Sequence, residues 1–157
     1  MLQEISLAGK TALVTGGATG IGFAIAEEMA DAGAHVVIVG RREEKLKEAA
    51  EKLGDKCSWY KFDVTETEKH AEFIQMLEDQ APLDILVNTA GINNKKDYFD
   101  FTAEEFDEIV ATQAKAPFML SQEVARHMKE RKKGCIILIS SLASILGMHE
   151  IQAYTVC

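Results

Sequence analysis

The stretch Thr15-Gly16-Gly17-Ala18-Thr19-Gly20-Ile21-Gly22 carries the clearest chemistry in the sequence. Its glycines are spaced Gly-x-x-x-Gly-x-Gly and lie between a β-branched apolar run and the helix-forming Phe23-Ala24-Ile25-Ala26. Glycine lets the backbone turn sharply, lets a pyrophosphate approach the main chain, and lets the following helix pack closely on a sheet. The helix N-terminus then offers unpaired N–H groups to the anion. A purely structural turn can use the same glycines, so the chemistry rests on their partners. A fold that selects NAD ends its second strand with an acid that bonds the ribose 2′-hydroxyl, but Gly40 stands there, followed by Arg41 and Arg42. A guanidinium holds a 2′-phosphate through paired, charge-assisted hydrogen bonds. NADP is therefore expected over NAD, with Arg41 as a phosphate ligand. Arg42 reads equally as a second ligand or as part of the solvated charge run from Arg41 to Lys45.

These residues need a sheet to hold them. Short β-branched runs alternate with segments of helical periodicity, the pattern that builds a buried parallel sheet. The predicted strands are Thr11 to Thr15, His35 to Gly40, Ser58 to Phe62, Ile85 to Asn88 and Cys135 to Ser140. The predicted helices are Gly20 to Ala32, Glu43 to Leu53, Thr67 to Asp79 and Thr102 to Arg131, several opened by Thr or Asp and closed by glycine. Pro117 should kink or divide the last of these. Right-handed crossovers then give an α/β fold, a doubly wound parallel sheet of the Rossmann type, in a single domain over residues 1–157.

With Asn88-Thr89-Ala90-Gly91 closing the fourth strand, and Ser141 thirteen residues before Tyr154, the chain resembles the short-chain dehydrogenase/reductase family along its whole length. The resemblance implies that Thr15, Gly16, Thr19, Gly20, Ile21 and Gly22 hold the cofactor. It further implies that Asn88, Ala90 and Gly91 brace the sheet beside it, and that Asp63 and Val64 lie against the adenine. The activity implied is NADP-dependent interconversion of a secondary alcohol and a ketone, with Tyr154 as general acid/base and Ser141 bonding the substrate oxygen. The segment through Gly147 is similar to the gluconate and sugar-acid branch, while 3-oxoacyl-carrier-protein reductases share the same motifs.

The chemistry is coherent in its own right. Reducing a carbonyl needs a proton donor for the oxygen that becomes an alkoxide, and an oriented phenol beside a second hydroxyl supplies one. A free phenol titrates near pH ~10, so a base working near neutrality needs roughly 4 kcal/mol of stabilisation from a cation. In the family that cation is a lysine four residues after the tyrosine, and Tyr154-Thr155-Val156-Cys157 runs up to that position. The expectation is a domain incomplete at its C-terminus, truncated after the fifth strand and inactive as a 157-residue piece. Its strand edge at Ile136 to Ile139 should favour self-association. Gln113 stands where the family commonly has an asparagine that relays protons to the lysine; it is either a functional replacement or an ordinary helix-surface glutamine.

Composition bounds the partners. A net charge of −8 argues against nucleic acid or an anionic membrane as a general partner. Cys57, Cys135 and Cys157 have no disulfide or zinc spacing, and the four histidines have no metal-site spacing, so no metal is expected. His149 alone is flagged, because it lies between Ser141 and Tyr154. No signal or membrane segment is read, which suggests a cytoplasmic protein. The stripe Phe106, Ile109, Val110, Phe118, Val124 and Met128 should pack on the sheet, with part of it free to form the interface of a homo-oligomer, dimer or tetramer. A non-catalytic dinucleotide-binding module remains the competing class.

Overall fold

The computed structural model describes residues 6–157. β1 (Thr11–Thr15) is buried at all five positions, as a strand covered on both faces must be. It pairs in parallel with β2 (His35–Gly40) on one side and β4 (Ile85–Asn88) on the other. β3 (Cys57–Lys61) and β5 (Cys135–Leu138) extend the sheet to the order β3-β2-β1-β4-β5. The chain thus winds outward from β1 to β3, then crosses back past β1 to begin β4. That reversal opens a crevice beyond the carboxyl ends of β1 and β4, the place where doubly wound sheets bind ligands. Thr15 and Asn88 are register partners at its base.

Alternation along the central strands divides the core in two. Val14, Ile38 and Val87 pack with Ala26, Ala30, Leu46 and Ala49, residues of α1 (Gly20–Asp31) and α2 (Glu43–Leu53). Leu13, Val39 and Leu86 face the other way. They meet Ile74 and Leu77 of α3 (His70–Gln80) and Leu120, Val124 and Met128 of α5 (Ala116–Arg131).

Several predicted boundaries shift. β3 and β5 end at Lys61 and Leu138, because Phe62 and Ser140 already belong to the turns that line the crevice. The third helix begins with a 3₁₀ turn, Thr67–Lys69. The long fourth region is three pieces: α4 (Ala103–Val110), a π-turn (Ala111–Lys115) and α5. The break falls in the turn before Pro117, since proline near the start of α5 lacks only an N–H that this position does not need. Capping is mixed as well. Thr102 and Glu105 form a reciprocal box at the start of α4, whereas Thr19 makes no side-chain cap, and α5 closes on left-handed Lys132 rather than glycine. A one-turn helix, α6 (Gln152–Thr155), carries Tyr154.

Candidate active site

The glycine turn is built by steric exclusion. A Cβ at Gly22 would stand 2.4 Å from the Gly16 carbonyl oxygen and 2.6 Å from the Thr89 hydroxyl, and one at Gly16 would stand 3.0 Å from Ala90 Cα. Gly16 also has a positive φ of 67°, which L side chains adopt only under strain. The Thr15 hydroxyl, 1% exposed, accepts hydrogen bonds from the N–H groups of Thr89 and Ala90, both at 3.1 Å. The Thr89 hydroxyl in turn donates to the Thr15 carbonyl. Two turns far apart in sequence are thereby locked face to face.

Between them lies a cavity of about 570 Å³. One wall is Gly16, Thr19, Ile21 and Gly22; the rim is Arg41 and Arg42; the far end is Asp63 and Val64; Ala90 and Gly91 close the side. Arg42 Nη2 donates to the Thr19 hydroxyl at 3.1 Å, which ties that guanidinium to the turn. A Cβ at Gly40 would meet only Leu46 Cδ2, at 3.9 Å, so the strand end leaves room beside the two arginines. Bare glycine backbone, a helix N-terminus and two guanidiniums form the donor set that a dinucleotide with an extra phosphate requires.

A second cavity of about 960 Å³ adjoins the first, sharing Ile21 and the run Thr89 to Ile92. Ser141, Tyr154 and Gln113 all line it. The Ser141 oxygen accepts the Ala143 N–H at 3.2 Å. A hydroxyl with that acceptor site engaged keeps its own proton to donate. Gln113 lies in the π-turn, and its Oε1 accepts the Ile92 N–H at 3.3 Å. A Cβ at Gly91 would fall 2.5 Å from the same oxygen, so the amide packs closely against the glycine. π-Turns concentrate at functional sites.

Three of the expected cofactor residues do not line the first cavity, and one of them, Asn88, lines the second. Thr15 braces the opposing turn, and Gly20 supplies backbone curvature with φ 56°. Asn88 reaches across to α5, where its amide donates to the Ser121 hydroxyl at 3.2 Å. His149 does not line the second cavity, although Met148 and Ile151 beside it do. Sequence reasoning passed over Thr89, whose place inside a motif gave no hint of its bond to Thr15. It also passed over Lys95, among the described residues the only Lys, Arg, Asp or Glu lining the second cavity. No salt bridge forms to Lys95 among the described residues. Lys95 sits four residues past Gly91, and a cation so close to a glycine-lined turn was the available signal. Among the described residues no three His, Cys, Asp or Glu side chains gather as a metal ion would require.

A doubly wound sheet with a glycine-lined crevice at its switch point has the architecture of the dinucleotide-binding folds. A family profile described as short chain dehydrogenase matches residues 10–156, and the chain belongs to that family. It is 39% identical over 158 residues to 5-keto-D-gluconate 5-reductase of Escherichia coli (strain K12), covering 98% of this chain and 62% of the relative. It is 40% identical over 154 residues to gluconate 5-dehydrogenase of Gluconobacter oxydans, covering 96% and 60%. The crystal structure of a gluconate 5-dehydrogenase from Burkholderia cenocepacia in complex with NADP and tartrate superposes with a TM-score of 0.89 at 34% identity, covering 98% of this chain and 62% of that one. The chain thus spans about 62% of the length of such relatives.

Proposed function

We propose that this chain is the cofactor-binding portion of an NADP(H)-dependent oxidoreductase that interconverts a secondary alcohol and a ketone. The observation that carries the reading is the continuity of the two cavities through Ile21 and Thr89 to Ile92. It sets Ser141 and Tyr154 in the chamber next to the phosphate crevice. When bound, the nicotinamide supplies or accepts the hydride. The chain's own work is then proton handling: the Tyr154 hydroxyl delivers a proton to the carbonyl oxygen, and Ser141 donates a hydrogen bond to that same oxygen. Gln113 acts by holding the Gly91–Ile92 peptide between the two cavities.

Lys95 supports the sugar-acid branch over the 3-oxoacyl one. Lys95 can pair with a substrate carboxylate, and Asn93, Gln113, Ser140 and Ser141 can bond hydroxyls, in a chamber whose other walls are largely apolar. The names of the gluconate relatives point the same way. Assembly with further copies belongs to the same reading. Phe118 on α5 is 67% exposed, while Ile109, Val124 and Met128 of the same stripe are buried. Arg41 and Arg42 at the crevice rim favour NADP over NAD.

The 157-residue piece includes no lysine after Tyr154, and its turnover alone is expected to be at background. The test compares this piece, the same chain extended with a lysine at the next position and the remaining family fold, and the extended Tyr154→Phe variant, by NADPH oxidation with keto-sugar acids. The extended protein should turn over, and Tyr154→Phe should lose about 10²–10⁴-fold. Full activity in Tyr154→Phe would refute the site assignment. Tight NADPH binding by the extended protein with no turnover on any ketone would favour a non-catalytic module instead.

A further inference from the structure

We propose that His70 is a positioning residue for the cofactor, acting through the Val64 carbonyl to hold the end of the crevice that takes the adenine; this rests on the cofactor reading above. His70 is the first residue of α3 and is 1% exposed. Its Nε2 lies 2.8 Å from the Val64 carbonyl oxygen. A carbonyl can only accept, so Nε2 carries the hydrogen, and the neutral ring's acceptor is Nδ1. That Nδ1 is buried without a partner among the described residues. A buried unpaired acceptor is costly, and a leucine would fill the same space in the core without it. Packing therefore does not account for a histidine here.

What the ring supplies is a donor for one carbonyl. The turn from Phe62 to Thr65 lines the first cavity, on the side away from Ser141 and Tyr154. Asp63 Oδ1 braces it from within, accepting the Thr65 N–H at 3.0 Å and the Thr65 hydroxyl at 2.8 Å. Phe62 fixes its entry, stacked on Phe73 of α3 at 4.0 Å and tilted against the His70 ring at 5.9 Å. The Val64 carbonyl has no other donor among the described residues. Without Nε2–H, the buried Val64 peptide would be driven to rotate toward a new partner. The orientations of Asp63 and Thr65 would turn with it. His70 thus ties the base-binding turn to α3, so the effect of its loss is confined to the adenine half of the cofactor.

The test is calorimetric titration of 2′,5′-ADP and of NADPH into the protein and its His70→Leu and His70→Gln variants. Glutamine places an amide N–H at the reach of Nε2, whereas leucine keeps the bulk and removes the donor. His70→Leu should bind 2′,5′-ADP about five- to tenfold more weakly, the scale of one lost hydrogen bond. The loss for NADPH should match it, because the nicotinamide half is untouched, and His70→Gln should recover to within about twofold. Should His70→Leu fail to fold, His70→Asn takes its place with the same expected loss, since its shorter amide reaches only the Nδ1 position. Unchanged affinity in the donor-less variant, a markedly larger loss for NADPH than for 2′,5′-ADP, or no recovery with glutamine would each overturn the proposal. An unmutated protein that binds neither nucleotide would bring down the cofactor reading itself, and this proposal with it.

Discussion

Gly22→Ala places one methyl group where the structure has least room. The new Cβ would lie 2.4 Å from the Gly16 carbonyl oxygen and 2.6 Å from the Thr89 hydroxyl, distances that real Cβ atoms essentially never show. Neither neighbour is free to retreat. Gly16 is anchored one peptide upstream of its crowded carbonyl, by its N–H on the Val39 carbonyl at 2.8 Å, and the Thr89 hydroxyl is held by the Thr15 carbonyl. The turn must open by more than half an ångström to accept the methyl group. Overpacking of this kind costs about 1–3 kcal/mol, while alanine in place of glycine returns about 1 kcal/mol of helix propensity. The net loss is at most about 2 kcal/mol, a fall in Tm of a few degrees for a domain of this size. The binding effect should be larger, because the displaced atoms form the proposed phosphate cradle. NADPH affinity is expected to drop at least about tenfold, or roughly 1.4 kcal/mol. Gly54→Ala is the matched control: φ there is 65° with open space around it, so stability should fall without any change in affinity. Differential scanning calorimetry and fluorescence titration on both variants decide the matter. Gly22→Ala that binds NADPH as tightly as the unmutated protein would refute the reasoning.

Arg41→Ala should remove most of the preference for NADPH over NADH in a titration of both, and an unmutated protein with equal affinities would count against the guanidinium reading. Acid should loosen the start of α4. The Thr102 N–H, and after it Lys96, hold the Glu105 carboxyl below the ordinary carboxylate range. A depressed folded pKa gives stability that is present above the unfolded value and lost as pH falls through the folded one. Tm should therefore decline on going from about pH 6 to about pH 3, less steeply in Glu105→Gln, and parallel curves would contradict the assignment. Burial pushes the Cys57 thiol up to about 11 and raises exposed Cys157 as well, so Ellman's reagent should label exposed Cys135 first, Cys157 next and half-buried Cys57 last. Three fast thiols would show that Cys57 is accessible.

The elements that period and turn chemistry govern were legible in the sequence. β1, β2, α2 and β4 fall on their predicted residues because each is bounded by a glycine, a polar turn or a cap. The π-turn was not legible: Pro117 announces a break, but which turn absorbs it depends on how α4 and α5 dock. Gln113 was ambiguous for the same reason, since only the fold brings the Ile92 N–H to its amide. Arg42 read equally as a phosphate ligand or as one charge in a run, and only the fold shows its guanidinium on Thr19. Lys95 was not singled out, and His70 was weighed only as a metal ligand, because their surroundings emerge only in the folded chain. Their own neighbours, Lys96 and Lys69, make them look like ordinary surface residues.

The lock between Thr15 and the Thr89–Ala90 turn also bears on the order in which the chain can acquire its structure. Its partners are 74 and 75 residues apart, and β1 gains its second neighbour only when β4 is present. During synthesis β1, α1, β2, α2 and β3 can assemble early, yet the central strand then has one naked side and the Thr15 hydroxyl meets no donor. Such long-range parallel pairing is slow, because loop closure must precede any reward from the contact. A nascent chain arrested before Ile85 therefore holds every glycine of the phosphate turn but not the wall that shapes it. Ligand capture and arrival of the fourth strand should become a single event in time, with the nucleotide acting as a late folding partner rather than as a visitor to a finished pocket.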